Sequence, residues 1–80
     1  MEHKLKILPK YFKAVKTGAK PFEFRFNDRD YKIGDVLILQ EWDNDGYTGQ
    51  EVKVYVTYVL NIREVVSTFP LWCILGIRVI

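Results

Sequence analysis

Three charged side chains stand close together in the segment "TGAKPFEFRF", where Lys20, Glu23 and Arg25 are spaced at three and then two residues. Arginine offers a bidentate fork to a phosphate or a guanine edge, and lysine offers a point charge to phosphate. A glutamate beside them accepts hydrogen bonds from base amino groups, or it holds the arginine in place. These residue types are chemically suited to a nucleotide-like ligand, and they equally suit an ion network within the fold.

A short helix precedes this segment, in "LPKYFKAVKTG". Apolar side chains recur there at helical spacing, at Leu8, Phe12 and Val15. Pro9 suits the first turn of a helix, and Gly18 suits the position just past its end. The pattern predicts a helix of about nine residues.

The charged segment itself reads as a strand, because "FEFRFN" alternates apolar and polar residues with period two. The three phenylalanines are expected to pack in the core, as large aromatic side chains usually do. Glu23 and Arg25 then share the opposite face, where Lys20 can join them in one partly buried network at the end of the sheet. The same alternation also describes the wet face of an ordinary half-exposed strand, so the pattern alone leaves both interpretations open.

Residues 1–80 read as one domain, mainly β with one N-terminal helix. Further strands are predicted at "HKLKIL", "VLILQEW", "QEVKVYVTYVL" and "LWCILGIRVI". Helices do not alternate with these strands, so we expect a mostly antiparallel sheet without parallel crossover units. A twisted sheet of about five to six strands tends to curl and close, which predicts a small β-barrel. The stretch "NIREVVSTFP" fits a loop, a short helix or a strand extension.

A resemblance to a known family rests on Gly18–Arg25, which match the pattern G-x-K-x-x-E-x-R typical of the ASCH superfamily. The preceding helix and the K-x-G-D turn at Lys32–Asp35 extend the similarity, over most of residues 3–60, to a small bacterial and phage ASCH-like family of unknown function. The resemblance implies a PUA-like barrel with an RNA-related role. It also implies a ligand cleft beneath the helix, lined by Lys20, Glu23 and Arg25.

Charge is unevenly distributed along the chain. Residues 1–32 hold nine basic and four acidic residues, whereas residues 33–80 hold three basic and six acidic ones. A basic half suits binding to a polyanion such as RNA, although a solvated face gives the same count. Lys13 and Lys16 on the helix, together with Arg29, are therefore predicted as accessory ligand-binding residues.

RNA or nucleotide binding is the predicted function, and two alternatives stay open. Some ASCH proteins resemble amidohydrolases that deacetylate a modified cytidine with a Lys, a Thr and a Glu. Here Glu23 stands where that Thr would be and cannot act as a hydroxyl nucleophile, and Glu64 matches the Glu only by order, so an enzyme is not favoured. The second alternative is a protein-interaction module of phage or mobile-element origin, which an exposed apolar patch around "FPLW" would favour.

Composition narrows the setting further. The single cysteine, Cys73, excludes an intrachain disulfide and is expected to be a small buried apolar residue. His3 has no neighbours at ligand spacing and is expected at the surface, and neither a metal nor an organic cofactor is predicted. The chain contains no secretory signal and no membrane-length apolar run, so a cytoplasmic protein without membrane contact is expected.

Overall fold

Alternating apolar residues and turn-forming glycines divide the chain into five strands and one α-helix, which the computed structural model describes over residues 1–68 and 70–80. The elements in chain order are β1 (Glu2–Ile7), α1 (Pro9–Lys16), β2 (Phe22–Phe26), β3 (Val36–Asp43), β4 (Gly46–Asn61), a 3₁₀ helix (Ile62–Glu64) and β5 (Trp72–Val79). The predicted class, mainly β with one N-terminal helix, is confirmed. The 3₁₀ helix occupies part of "NIREVVSTFP", of which Phe69 lies outside the described residues.

The five strands form one sheet in the order β1-β3-β4-β5-β2. Three of its pairings are antiparallel, as expected, but β1 and β3 run parallel, from Glu2 beside Val36 to Ile7 beside Glu41. The expectation that parallel crossovers are absent was therefore wrong. After β1 the chain runs through α1 to β2 at the far edge of the sheet. It then returns to form β3, which lies beside β1 and runs in the same direction.

The sheet curls into a half-barrel and does not close. Among the described residues, no ladder joins β1 to β2, and these two strands remain the edges of the sheet. The predicted closed barrel is thus corrected to an open one, because β2 has only five residues and pairs with β5 alone. The open side between the two edges is where the charged segment lies. No helix in the described ranges is long and apolar enough to cross a membrane.

Aliphatic side chains fill the concave side of the sheet, in place of the three phenylalanines of β2 that alternation predicts there. The buried cluster includes Leu37, Leu39, Val54 and Leu75, each fully buried, and it covers the inner face of α1. Phe12 and Tyr31 are the aromatic residues that take part in it. Helix α1 is positioned by this burial, since Phe12 and Val15 are its two buried residues.

Strand β2 presents the opposite face to the one expected. Phe22, Phe24 and Phe26 are between 45% and 47% exposed, whereas Glu23 is only 3% exposed. The register with β5 explains the inversion, because Glu23 pairs with Leu75, whose side chain points into the core. The phenylalanines therefore lie on the outer face of the sheet.

Aromatic packing on that outer face offsets part of the lost burial. The ring of Phe24 stacks on that of Trp72 with 5.0 Å between centroids, and the ring of Phe26 meets Trp72 edge to face at 5.7 Å. Offset and edge-to-face pairs of this kind are favourable geometries. We call Phe24, Phe26, Trp72 and the half-exposed Leu71 the aromatic face.

His3 is buried, which corrects its expected surface position. Its Nε2 lies 2.8 Å from Oδ2 of Asp35, and its ring meets Tyr31 edge to face at 5.0 Å. Burial by itself raises the pKa of Asp35, but hydrogen bonds from His3 and from the backbone N–H of Lys32 outweigh it and hold that pKa below its ordinary value. The aspartate of the K-x-G-D turn thus fixes β1 against the start of β3.

Candidate functional site

Lys20, Glu23 and Arg25 form one network of charge-assisted hydrogen bonds. Nζ of Lys20 donates to Oε1 of Glu23 at 2.5 Å, and Nε of Arg25 donates to Oε2 of the same carboxylate at 2.8 Å. The side chains of Lys20 and Arg25 are 17% and 23% exposed, against 4% for that of Glu23. The carboxylate is therefore buried beneath two cations that still reach the solvent. We call these three residues the motif network.

Local structure brings the three side chains together. Helix α1 ends at Lys16, and Gly18 takes a positive φ of 83°, a conformation that glycine adopts without strain. The chain then turns back, and the backbone N–H of Lys20 donates to the carbonyl of Ala14 at 3.0 Å. This turn places Lys20 directly above the first residues of β2.

Arg25 also connects the two edges of the half-barrel. Its Nη2 donates to the backbone carbonyl oxygen of Lys6 in β1 at 2.6 Å, while its Nε holds Glu23 on β2. The backbone carbonyls along a sheet edge have no neighbouring strand to donate hydrogen bonds to them. For the carbonyl of Lys6, the side chain of Arg25 is the donor. Part of the role of Arg25 is thus structural, because it bridges the open side of the sheet.

A groove of about 530 Å³ lies beside this bridge, between the end of β1, helix α1 and strand β2. Its lining consists of residues from those elements and from the turn before β2: Lys6, Ile7, Leu8, Tyr11, Lys20, Phe22, Glu23, Phe24 and Arg25. This volume suits a ligand of nucleotide size. Tyr11 of α1 forms one wall of the groove, and Leu8, just before the helix, also lines it.

Two half-exposed aromatic rings flank the ammonium group of Lys20 in this groove. Nζ of Lys20 lies 5.0 Å from the ring centroid of Phe22 and 5.5 Å from that of Tyr11. Nζ also donates to the carbonyl of Phe22 at 2.8 Å, so contacts among the described residues engage two of its three N–H groups and leave one for a ligand. Arg25 has five N–H groups, and in the described part of the chain two of them are engaged, so further donors remain there.

The other predicted site residues lie outside the groove. Lys13 and Lys16 are exposed on α1, and Arg29 lies in the loop after β2, on the far side of the bridge from Lys20. The structure thus brings together the three motif residues. Of the accessory ones, Lys16 lines a separate depression that Lys20 also borders, and Arg29 lines another that Arg25 also borders. Tyr11, a wall of the groove, and Lys6, whose backbone oxygen accepts from Arg25, were not among the predicted site residues. No side-chain pattern indicates a backbone oxygen.

Other reactive groups do not join the site. Glu64 accepts a hydrogen bond from the backbone N–H of Asn61 at 3.0 Å, at the start of the 3₁₀ helix, and does not line the groove. Cys73 is fully buried, as expected, and desolvation raises the pKa of its thiol. In the part of the chain that the structure describes, no group of His, Cys, Asp and Glu residues is arranged to hold a metal ion.

Comparisons with known proteins identify relatives of this chain. It is 39% identical, over 69 residues, to the uncharacterized 12.9 kDa protein in the GpA 3′ region of Escherichia phage P2, and the match covers 86% of this chain and 63% of the phage protein. Its fold is similar to that in the crystal structure of hypothetical protein PH0355, with a TM-score of 0.71, 17% identity and full coverage of both chains. The model of the domain of unknown function DUF3850 matches residues 2–77. The chain therefore belongs to the DUF3850 family.

Proposed function

We propose that this protein binds RNA, or a nucleotide-sized piece of it, in the groove beneath α1. Lys20 and Arg25 would contact phosphates or base edges with their remaining donors, and Tyr11 and Phe22 would stack on bases. Glu23 positions both cations from below. Two positive charges against one negative leave the motif network with an excess of positive charge, which suits a phosphate-bearing ligand.

The observation that carries this proposal is the inverted face of β2. The strand buries a carboxylate and leaves three phenylalanines about half exposed, although the opposite arrangement would bury more apolar surface. A local arrangement that departs from the burial rule is expected at functional sites, where stability is given up for binding geometry. The two cations held over Glu23 and open to the groove are what that arrangement provides.

We further propose that the chain is an ASCH-like domain with PUA-like architecture. Lys20, Glu23 and Arg25 of the G-x-K-x-x-E-x-R pattern line a groove beside the helix, as that resemblance implies, and this supports the assignment. The amidohydrolase alternative has less support, because both oxygens of Glu23 are engaged and Glu64 lies away from the groove.

A charge-matched pair of variants tests RNA binding by fluorescence anisotropy with a labelled pool of short RNAs. Lys20→Gln removes a cation from the groove, whereas Lys53→Gln removes one from an exposed position on β4. We expect Lys20→Gln to weaken binding about tenfold and to reduce the slope of log affinity against log salt by about one unit, with Lys53→Gln close to wild type. Circular dichroism confirms that both variants fold.

Two results would count against the groove. Equal losses in Lys20→Gln and Lys53→Gln would mean that binding depends on net charge alone. A larger loss in Lys13→Gln or Lys16→Gln would place the RNA on the exposed face of α1 instead.

A protein partner on the aromatic face is the second candidate, in keeping with an interaction module. Leu71 is 50% exposed and belongs to the "FPLW" segment, and Val65 nearby in the chain is 70% exposed. Contiguous exposed apolar surface often marks a protein interface. If the protein associates with a protein partner, and Trp72→Ser abolishes that association while Lys20→Gln leaves it intact, this role is favoured over RNA binding.

A further inference from the structure

The bridge between Arg25 and Lys6 separates the groove from a second depression, of about 340 Å³, on its other side. Lys6 and Arg25 line both depressions, so the two adjoin on either side of the bridge. The second one is also lined by Lys4, Arg29 and Tyr47. We call Lys4, Arg29 and Tyr47 the distal subsite.

Charge and exposure at the distal subsite suit a polyanion. The lining of this second depression includes four cations and one carboxylate, that of Asp28; the cations are Lys4, Lys6, Arg25 and Arg29. Within the described residues, Lys4, Lys6 and Arg29 form no ion pair with the protein. Cations that the fold does not neutralise remain available to phosphates.

An aromatic platform accompanies these cations. The ring of Tyr47 is 58% exposed at the start of β4, and Nζ of Lys6 lies 5.8 Å from its centroid and 4.9 Å from that of Trp42. Lys6 beside Tyr47 thus repeats the combination found in the groove, where Tyr11 and Phe22 flank Lys20. A repeated series of aromatic faces and cations is typical of proteins that bind unpaired strands, since successive bases stack while cations follow the backbone.

We infer that the ligand is a single-stranded RNA segment that spans both depressions, with one end under α1 and the other against Tyr47. This inference rests on the proposed function and names its substrate class. A free nucleotide fills only one depression, and a duplex cannot present unpaired bases to Tyr11 and Tyr47. Arg25 lies between the two depressions, where it connects the two sheet edges. In this arrangement it also contacts the RNA where the RNA crosses the bridge.

The test measures how affinity depends on the length of the ligand. The probes are uridine monophosphate, a single-stranded oligouridine of about eight nucleotides, and a duplex of the same length. We expect the single strand to bind at least about tenfold more tightly than the monophosphate, and more tightly than the duplex at the same salt concentration.

A double variant at the distal subsite then shows whether the additional affinity for the oligomer arises there. Lys4→Gln with Tyr47→Ala is expected to reduce affinity for the oligomer about tenfold and to leave affinity for the monophosphate unchanged. The matched control, Lys53→Gln with Tyr58→Ala, removes the same charge and a ring of similar exposure outside both depressions, and it should bind the oligomer as wild type does.

Outcomes separate this inference from the function on which it rests. If the monophosphate and the oligomer bind equally well, or if the distal double variant loses both, the two-subsite inference is wrong while nucleotide binding stands. If neither probe binds at low salt, the proposed function itself is overturned.

Discussion

Replacing Glu23 with alanine is expected to lower the free energy of unfolding by about 3 kcal/mol. The carboxylate is the common acceptor of Lys20 and Arg25, and its removal leaves two partly buried cations without their counter-charge. It also frees Arg25 from one of the two contacts by which it bridges β1 and β2. Because a domain of this size has a total stability of only about 4–12 kcal/mol, urea denaturation will resolve such a loss clearly.

The surface pair of Lys32 and Asp30 provides the control. Their side chains are 69% and 82% exposed at a separation of 3.2 Å, and Lys32→Ala should change stability by less than about 0.5 kcal/mol. If Glu23→Ala proves as harmless as Lys32→Ala, the motif network contributes nothing to the fold, and its charges would serve only a ligand.

Replacing Phe12 with alanine is expected to destabilise the fold much more than replacing Phe24 with alanine. Phe12 is 5% exposed between α1 and the sheet, so Phe12→Ala should lower the free energy of unfolding by about 3 kcal/mol or more. Phe24 is 47% exposed and packs chiefly on Trp72, so Phe24→Ala should cost about 1 kcal/mol. Thermal or urea unfolding of both variants measures the difference directly.

A cost for Phe24→Ala equal to that for Phe12→Ala would contradict the face assignment of β2. It would mean that the phenylalanines point into the core and that Glu23 and Arg25 point outward. The groove beneath α1 would then lose its buried carboxylate, and the proposed site would have to be abandoned.

Most of the elements could be predicted from the sequence because local signals set them. Pro9 and Gly18 bound α1, and period-two alternation or apolar runs identify each strand. Pairing partners are a different matter, since they depend on contacts between distant segments. Nothing local in β1 indicates that it lies parallel to β3, and nothing in the five residues of β2 indicates that it pairs with β5 alone.

The face of β2 could not be predicted from alternation, because period two gives two faces without saying which is inside. Burial of apolar area favours an inward position for the phenylalanines, but the structure buries Glu23 instead. Register with Leu75 and stacking on Trp72 decided otherwise, and both are tertiary contacts. His3 was misplaced for the same reason, since its partner Asp35 is 32 residues away.

The candidate site was partly predictable. Spacing on one strand face grouped Glu23 with Arg25, and the turn after α1 added Lys20. The contact between Arg25 and the backbone oxygen of Lys6 was not predictable, because every residue carries such an oxygen. Charge counts suggested Lys13 and Lys16 without showing that they lie outside the groove.

Mapping of amide chemical shifts on the ¹⁵N-labelled protein, during titration with a short single-stranded RNA at low salt, tests RNA binding in the groove most directly. Binding in the groove should produce the largest changes at Tyr11, Lys20 and Arg25, and only small changes at Lys53. Changes confined to Phe26 and Trp72 on the aromatic face, or no changes at any RNA concentration, would contradict it.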